Sequence, residues 1–292
     1  MSERRQLINL AYRLLGSFAD AEDVVQETYL RWYGMTDDER AAVESPGGWL
    51  TTVASRICLD HLRSARARRE RYVGQWIPEP LPDGGEWLSA RPDSSTPDPA
   101  DRVTLDESVN MAFLVVLDSL TPAERVAFVL HDVFGYPFPE VAEIVGRTPA
   151  ACRQLATSAR RRIRASRSHE PPTRDRLRVV RDFKQAWEAR DIQTLVELLD
   201  PDAVAVADGG GVVSAALQPI LGRHAVTQTV IDIAQLAPDL TLHERTVNGE
   251  PGLVAEQDRA IVTVFAFDIV GERIKTIWAV RNPEKLRRWT VG

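Results

Sequence analysis

The stretch TPAERVAFVLHDVFGYPFPEVAEIVGRTPAACRQLATSARRRIRASR, residues 121–167, decides how the middle of this chain folds. Its first four residues supply a capping threonine, a first-turn proline and a glutamate at the third helical position, which together predict a helix start with a capping box. Gly146 predicts a sharp turn after a short helix over 140–145. Thr148 and the proline after it repeat the same start for a last helix that ends near residue 164.

The last helix of this stretch has one apolar face and one basic face. The residues at helical spacing that predict its buried face are Cys152, Ala156, Ala159 and Ile163. The side chains expected to point outward are Arg153, Gln154, Thr157, Arg160 and Arg161. Between positions 147 and 167 there are seven arginines and no acidic residue. A plain helical bundle would explain the helices but not this one-sided charge. We therefore interpret the stretch as a helix-turn-helix that binds duplex DNA.

The net charge of the 292-residue chain is −6, yet its basic residues are concentrated. Residues 108–169 carry 8 basic and 5 acidic residues, a balance of +3, whereas residues 72–107 carry 2 and 8, a balance of −6. Because phosphate contacts dominate affinity for DNA and acidic segments repel it, we expect the chain alone to bind DNA weakly. The sequence therefore predicts a basic protein partner.

The cysteines, histidines and apolar runs exclude several classes of protein. Cys58 and Cys152 are far apart on predicted helices, which fits a reducing cytosol and offers neither a disulfide framework nor a zinc site. The five histidines are scattered, with no pair at ligand spacing. We expect no metal and no cofactor. No signal peptide or membrane span is apparent, so the prediction is a cytoplasmic protein without a membrane partner.

The N-terminal segment predicts three helices, of which the second and third have charged outer faces. The first spans 4–17, and the second begins with Asp20 as its N-cap. The outer face of the second is acidic: Glu22, Asp23, Gln26 and Glu27. The third, over 49–72, is basic and includes Arg56, Arg63 and Arg66. On composition alone, solvated surface charge explains the acidic face. Solvated surface charge is also one of two explanations for the basic helix. The other is that this helix follows the backbone of a single DNA strand.

The rest of the chain predicts a linker and an α+β domain. Residues 73–105 are rich in proline, glycine and serine, which is typical of a linker. Trp76 is unusual there, and we expect the segment around it to dock onto another part of the protein. After residue 174, the predicted helices span 177–190, 192–199 and 225–236, and the predicted strands span 203–206, 240–247, 253–256, 261–269 and 273–280. This order favours a curved, largely antiparallel sheet packed on helices.

Three separated motifs resemble those of bacterial extracytoplasmic function (ECF) sigma factors, the subunits that direct RNA polymerase to promoters. They are DAEDVVQETYLRW at 20–32, WLTTVASR at 49–56 with the arginines that follow, and the helix-turn-helix. The sequence departs from many family members at 57–58, where they have a polar residue. This resemblance covers residues 4–168.

Three further motifs resemble the sigma factor subgroup that has a fused C-terminal SnoaL-like domain, a cone-shaped α+β fold. They are WIPEPL at 76–81, DGGG at 208–211 and NPEKL at 282–286. The sequence departs from the subgroup at Val212, where a basic residue is usual. The resemblance implies a multidomain chain with two all-α helical domains that bind polymerase and DNA, followed by the SnoaL-like domain. The implied boundaries are 1–72, a linker over 73–105, 106–168 and 174–292.

The resemblance also implies roles for individual residues. The polymerase-binding residues would contact a basic coiled coil on the largest subunit of the core enzyme: Asp20, Glu22, Asp23, Gln26 and Glu27. The residues at the proximal promoter element would be Arg56, Arg63 and Arg66. In the distal element, base edges would be contacted by Arg153, Gln154 and Thr157, and phosphates by Arg147, Arg160, Arg161 and Arg164.

A third group of residues is expected to join the linker to the C-terminal domain. Its members are Trp76, Pro78, Asp208, Gly209, Gly210, Gly211, Asn282, Pro283 and Lys285. The resemblance implies that this domain stands in place of a separate anti-sigma protein.

The length of the linker can be compared with the distance it must span. In this family the two promoter elements lie about 85 Å apart, at ~34 Å per DNA turn. A linker of roughly 36 residues spans at most ~120 Å and averages only ~33 Å as a free coil. It must therefore be held extended by polymerase.

Two other functions remain as alternatives. A stand-alone helix-turn-helix repressor would leave the acidic helix and the linker tryptophans unexplained. A C-terminal domain that binds a ligand or is catalytic is the other, because the fold hosts isomerases and cyclases. A ketosteroid-isomerase-like site needs a carboxylate and an oxyanion donor, commonly tyrosine. Every tyrosine precedes the C-terminal domain, which leaves Asp208, His224, His243 and Asp268 as its candidate polar groups. We expect no enzyme activity. The three glycines after Asp208 are expected to shape the backbone rather than to take part in chemistry.

Overall fold

The computed structural model describes residues 2–69, 72–82, 109–166 and 175–289, with the backbone alone for residues 2, 65–69 and 166. These residues form two compact units. The first contains the N-terminal helices and residues 113–166. The second contains the linker segment 72–82 and residues 175–289.

The first unit is entirely helical. Its α-helices are α1 Ser2–Leu15, α2 Phe18–Tyr33, α3 Asp37–Ala41, α4 Pro46–Arg69, α5 Met111–Asp118, α6 Pro122–Phe128, α7 Phe138–Val145 and α8 Pro149–Ser166. A π-helical turn, Val129–Val133, extends α6. The predicted capping box is confirmed, since Glu124 accepts the Thr121 backbone N–H at 2.9 Å. Gly146 has the left-handed conformation that its turn requires, with φ 72° and ψ 41°.

Two predicted helix starts lie three residues too late, because α4 begins at Pro46 rather than at residue 49 and α2 is capped before Asp20. The N-cap of α2 is Ser17, whose hydroxyl accepts the backbone N–H of Asp20 at 3.2 Å. Asp20 therefore lies at the third helical position. An extended serine is as good an N-cap as aspartate, and an acidic residue inside the first turn still stabilises the helix dipole.

Within the first unit, helices from the N-terminal segment pack against the helix-turn-helix segment, because α4 contacts both α6 and α7. Arg125 donates to the carbonyl of Leu14 at 2.9 Å. The Tyr136 hydroxyl donates to Thr51 at 3.1 Å. Arg56 donates to the backbone carbonyl of residue 143, in the last turn of α7, at 3.1 Å.

The second unit is the predicted α+β domain. Its helices are α9 Arg176–Ala189, α10 Ile192–Leu198 and α11 Arg223–Leu236. Its strands are β1 Leu199–Asp208, β2 Ile220–Leu221, β3 Thr241–Val247, β4 Glu250–Gln257, β5 Ala260–Val270 and β6 Arg273–Val280. A 3-10 turn follows at Arg287–Trp289. The predicted strand around 203–206 is longer than expected, and the two-residue strand β2 was not predicted.

The six strands form one sheet in the order β2-β1-β6-β5-β4-β3. All neighbours are antiparallel except β1 and β6, which are parallel. This parallel pair brings the end of β1 beside the end of β6, since Asp208 pairs with Val280. The core against α9 contains an aromatic cluster in edge-to-face geometry formed by Phe183, Trp187, Phe265 and Phe267.

Candidate polymerase, DNA and linker-docking sites

The acidic face of α2 is a mixed acidic and apolar surface. Asp23 and Gln26 are exposed, and Glu22 and Glu27 are about half exposed. Glu27 forms an ion pair with Arg31, one turn later. The same face continues to Leu30 and Tyr33, which are 66% and 71% exposed. Large apolar side chains beside carboxylates are typical of a surface that docks a protein rather than one that only faces water. Asp20 lies half-buried at the start of this face.

The basic residues of α4 lie in different surroundings. Arg56 is exposed and bonded to α7, as described above. Arg63 is exposed and pairs with Asp60, one turn earlier, at 3.2 Å. Arg66 lies on the helix, but its side chain falls outside the part of the structure that is described. The predicted role of these residues at DNA stays a prediction.

The recognition helix α8 presents the predicted two faces. Cys152, Ala156, Ala159 and Ile163 are all buried. The exposed residues are Arg147, Arg153, Gln154, Thr157, Arg161 and Arg164. The guanidinium of Arg153 lies over the ring of Phe138, 5.2 Å from its centroid, which positions it at the start of the helix.

Arg160 differs from the expectation that it points outward. It is half-buried, and its Nε donates to the nearly buried carboxylate of Asp132 at 2.6 Å. Position 160 adjoins the apolar stripe of α8, so its long side chain reaches back to the π-helical turn. A second such link joins Ser158 to Glu124 at 2.7 Å. Both bonds fix α8 on α6 and its π-helical extension.

The linker meets the C-terminal domain at a completely buried carboxylate, Asp208. One of its oxygens accepts the hydroxyl of Tyr72 at 2.6 Å and the backbone N–H of Gly210 at 3.0 Å. The other accepts the backbone N–H of Ile77 at 3.0 Å and the ammonium of Lys285 at 2.7 Å. Burial and the adjacent carboxylate raise the pKa of Tyr72 above its ordinary value. We call these five residues the Asp208 clasp.

The Lys285 side chain connects the clasp to the linker aromatics. Its ammonium lies 4.3 Å from the ring centroid of Trp76 and 5.4 Å from that of Tyr72. It also donates to the carbonyl of Ile77. A lysine held between two aromatic faces and a buried carboxylate satisfies its charge without water.

The turn that carries Lys285 supports the clasp from the other side. Asn282 is buried and donates to the Tyr72 hydroxyl at 3.0 Å. Its backbone carbonyl accepts the N–H of Lys285 at 3.0 Å, which closes the turn around the exposed Pro283. The predicted Asn282, Pro283 and Lys285 therefore lie in one turn, two of them in contact with the linker.

The glycines after Asp208 provide close approach, as expected. A Cβ on Gly209 would lie 2.3 Å from the carbonyl oxygen of Val213. Gly210 has φ 64°, and a Cβ there would lie 2.4 Å from the Asn282 side chain. Gly211, also left-handed, packs against Val73 of the linker. The expectation that this loop acts through shape alone is incomplete, because the Asp208 carboxylate itself is the acceptor for the linker.

The later part of the linker docks in the same domain. Ile77 and Leu81 are 1% and 0% exposed, and Pro78 is buried between them. Asn248 exchanges two hydrogen bonds with Leu81, both 2.9 Å long. Trp289 donates to the carbonyl of Pro80 at 2.9 Å. These contacts confirm the expectation that the segment around Trp76 docks onto another part of the protein.

Three residues of this contact were missed by sequence reasoning: Tyr72, Asn248 and Trp289. Ile77 and Leu81 lie in the WIPEPL segment that was expected to dock, although neither was singled out as a site residue. Two isolated large apolar residues in a proline-rich segment were the available signal for Ile77 and Leu81, since a solvated linker has no use for them. Nothing local marks Tyr72 or Asn248, whose partners are more than 130 positions away.

The tyrosine argument against catalysis also changes. Every tyrosine precedes the C-terminal domain, yet the fold brings Tyr72 to Asp208. Both Asp208 oxygens are fully buried and already accept two donors each, which leaves them no access to a substrate. Elsewhere in the domain His243 pairs with Glu256 at 3.1 Å, and burial raises the pKa of Asp268.

The described ranges contain neither a metal-binding cluster nor a membrane-spanning helix. No group of three histidine, cysteine or acidic side chains in them is arranged to hold a metal ion. Likewise, no helix in those ranges has both the length and the apolar character to cross a membrane.

Comparisons with known proteins match both helical segments and the whole chain. Residues 1–68 match the Sigma-70 region 2 family and residues 110–163 match the Sigma-70 region 4 family. The chain is 38% identical to the ECF RNA polymerase sigma factor SigJ of Mycobacterium tuberculosis, over 97% of this chain and 90% of the relative. It is also 38% identical to the probable ECF RNA polymerase sigma factor SigI of the same species, over 98% and 92%. The crystal structure of SigJ superposes with a TM-score of 0.75 at 34% identity, covering 97% of this chain and 95% of that one.

Proposed function

The chain belongs to the ECF sigma factors, which direct core RNA polymerase to promoters, and we propose that its SnoaL-like domain regulates this activity by holding the linker. The membership rests on full-length relatives and on both sigma regions. The proposal rests on a single observation, the Asp208 clasp. A buried carboxylate that takes two of its four donors from the linker fixes where the linker lies.

We assign the polymerase-docking role to the exposed face of α2. Its residues are Asp20, Glu22, Asp23, Gln26 and Glu27, continued by Leu30. The exposed carboxylates suit a basic coiled coil of the largest polymerase subunit, where charge complementarity adds association rate and register. The apolar Leu30 and Tyr33 supply the desolvated part of such a contact. We infer that the protein acts with polymerase in the cytoplasm.

The DNA-binding role divides between α4 and α8. Arg56, Arg63 and Arg66 of α4 would act at the proximal element. Arg153, Gln154 and Thr157 of α8 are exposed at the N-terminal end of the recognition helix, where base edges are contacted. Arg147, Arg161 and Arg164 would bind phosphates. Arg160 already pairs with Asp132, so it would bind a phosphate either in addition to that bond or in exchange for it.

The first unit has the character of a closed state. Helix α4 packs directly on α6 and α7, so the two DNA-binding segments are in contact. Promoter elements that lie about two and a half DNA turns apart, ~85 Å, cannot both be bound by segments in contact. Polymerase must therefore separate them, and the linker must span the distance between them.

The clasp limits that separation. It fixes residues 72–82 on the C-terminal domain and removes them from a tether of roughly 36 residues whose full reach is ~120 Å. A tethered contact needs little intrinsic affinity, because a short linker gives a millimolar effective concentration. The SnoaL-like domain thus acts within the chain, in the place of a separate anti-sigma protein, and without catalysis.

The proposal is tested by run-off transcription with core polymerase. Lys285→Met keeps the aliphatic stem but removes the ammonium from Asp208, Ile77 and the two aromatic rings. We expect it to free the linker and raise transcript yield. The matched control is Lys275→Met, at an exposed lysine on β6. Equal yields from both variants and the wild-type protein would refute regulation through the clasp.

A further inference from the structure

The C-terminal domain encloses a second feature that the clasp does not use. Between α11 and the sheet lies a cavity of about 290 Å³. This is close to the lower end of small-molecule sites, roughly 300–1,000 Å³. Its walls are apolar and include Trp187, Val230, Ile233 and Phe265, with Leu236 on the rim at 85% exposure.

The few polar groups of the cavity restrict the kind of ligand. Among the described residues that line it, the single charged one is Arg281, which donates to the carbonyl of Ser214. Thr263 and Gln257 add a hydroxyl and an amide on the sheet side. No carboxylate lies among these lining residues, so nothing there pairs with a cation or acts as a general base. A cationic ligand would therefore lose its hydration without a partner, and the Arg281 guanidinium, the group that an anionic ligand would need, already donates to the Ser214 carbonyl.

We propose that this cavity is a binding site for a neutral, mainly hydrocarbon small molecule that carries a hydroxyl or carbonyl group. The apolar walls would supply the binding energy by burying ligand surface, at about 25 cal/mol per Å². Thr263 and Gln257 would orient the polar group of the ligand. The occupant is a small molecule because the space lies inside one domain, beneath α11.

The position of the cavity also connects it to the clasp. Ala205, Val206 and Ala207 of β1 line the cavity, and the next residue is Asp208. Arg281 lines it too, and the next residue is Asn282. A bound molecule therefore touches the residue before Asp208 and the residue before Asn282, which donates to Tyr72 of the clasp. This coupling rests on the proposed function, whereas the binding itself does not.

Binding is measured with 1-aminoanthracene, a neutral aromatic probe whose emission rises when it leaves water. We expect saturable binding of one probe per full-length chain. Ile233→Trp fills the cavity from α11 and should weaken binding by about tenfold or more, as overpacking does. Gln235→Trp, an exposed position on the same helix that does not line the cavity, should bind as the wild type does.

Two further variants keep the test decisive. Ala205→Leu adds less volume, from β1, and should also weaken binding. It provides the test if circular dichroism shows that Ile233→Trp does not fold. Lys285→Met should still bind the probe, weakened by no more than the factor by which the probe slows linker exchange, because coupling between two sites is reciprocal. The proposal is overturned if no saturable binding occurs, or if folded Ile233→Trp or Ala205→Leu binds as tightly as the wild type.

Hydrogen exchange of the segment 72–82 tests the coupling. With the probe bound, exchange of the Ile77 amide should slow roughly fivefold or more, the lower end of typical coupling between sites. Unchanged exchange with confirmed binding would refute the coupling and leave the binding site intact. Unchanged transcription by Lys285→Met would instead refute the regulatory role of the clasp alone.

Discussion

Two internal contacts of this protein use buried charge differently. In the first unit, where α4 meets the helix-turn-helix segment, Arg125 keeps its ion pair with Asp118, 2.7 Å away, within its own segment. It gives the other segment one hydrogen bond, to the Leu14 carbonyl. Arg56 gives one more from an exposed position. If this contact opens, water can replace these two bonds and the one from Tyr136 to Thr51.

The clasp in the second unit is built the opposite way. Its buried charge, Asp208, takes two of four donors from the linker itself, Tyr72 and Ile77. Ile77 and Leu81 also bury their side chains in that domain. Release of the linker therefore exposes apolar surface and leaves the carboxylate with half of its donors.

The helix α4 also carries two buried polar atoms that are unsatisfied. On α4, the Ser55 hydroxyl oxygen and His61 Nδ1 are buried without a hydrogen-bond partner among the described residues. Each such atom costs about 1–3 kcal/mol. The two contacts are therefore suited to different tasks. The contact between DNA-binding segments is suited to open on polymerase, and the clasp is suited to hold.

The largest effect is expected from removing the buried charge of the clasp. Asp208→Asn keeps the shape but leaves Lys285 buried without its counter-ion, which costs about 3 kcal/mol or more. The Ile77 amide should then exchange roughly a hundredfold faster, at 1.4 kcal/mol per tenfold. Hydrogen-exchange mass spectrometry of residues 72–82 measures this. Asp239→Asn, at an exposed position, is the control, and equal exchange in both variants would contradict the comparison.

The next effect concerns DNA binding by the closed first unit, which leaves the outer face of α8 exposed. Replacing Arg153 and Gln154 with alanine should relax discrimination at the distal element by about 1–3 kcal/mol per lost bidentate contact. Arg161→Ala should instead weaken binding to all sequences and lower the salt slope by about one. Fluorescence anisotropy over several salt concentrations separates the two. The orientation of α8 is wrong if Arg161→Ala alone changes sequence preference.

A pH-dependent effect is expected where Glu124 joins the cap of α6 to α8. Burial raises the pKa of Glu124, but hydrogen bonds from Ser158 and Thr121 outweigh it and hold this pKa below its usual value. The stabilisation is therefore complete above the unfolded pKa, near ~4.3, and is lost as pH falls through the folded pKa.

Glu124→Gln should cost about 1–2 kcal/mol at pH 7, the scale of a lost cap or charged hydrogen bond. The difference from wild type should shrink as the pH falls below ~4. Urea unfolding across this pH range measures it, with exposed Glu143→Gln as the control. A difference that stays constant with pH would show that the charge on Glu124 is not the cause.

The smallest effect is expected from loosening the first contact. Arg56→Ala removes one exposed hydrogen bond to α7 and should shift opening by about 0.5–1 kcal/mol. Spin labels on α4 and α8 of the free protein should report a larger population at long distance. Arg63→Ala, which breaks only a pair within α4, should leave the distances unchanged. The comparison would be reversed if the free energy of opening changed more in Arg56→Ala than the free energy of linker release changes in Asp208→Asn.

Sequence patterns predicted most of the local structure because local rules produce it. The capping box at Thr121, the turn at Gly146 and the buried stripe of α8 each depend on residues within a few positions. The strands β3 to β6 were likewise indicated by alternation and turn residues. The start of α2 was misplaced by three residues, since serine and aspartate compete as caps over so short a distance.

Contacts between residues far apart in the sequence were harder to predict from local patterns. Arg160 was expected at the surface, and its pairing with Asp132 depends on how α8 crosses the π-helical turn. The parallel pairing of β1 with β6 has no signal in either strand. It nevertheless places Asp208 beside the turn that carries Asn282 and Lys285.

The sequence by itself determined the family, the two helical segments, the α+β domain and which charged faces point outward, because periodicity, caps and motifs are local properties. Only the tertiary structure decided that Tyr72 and Ile77 satisfy Asp208, that α4 rests on α7, and that an apolar cavity lies beneath α11. These features depend on which surfaces meet after the chain folds. Burial then converts an ordinary aspartate into the group that holds the linker.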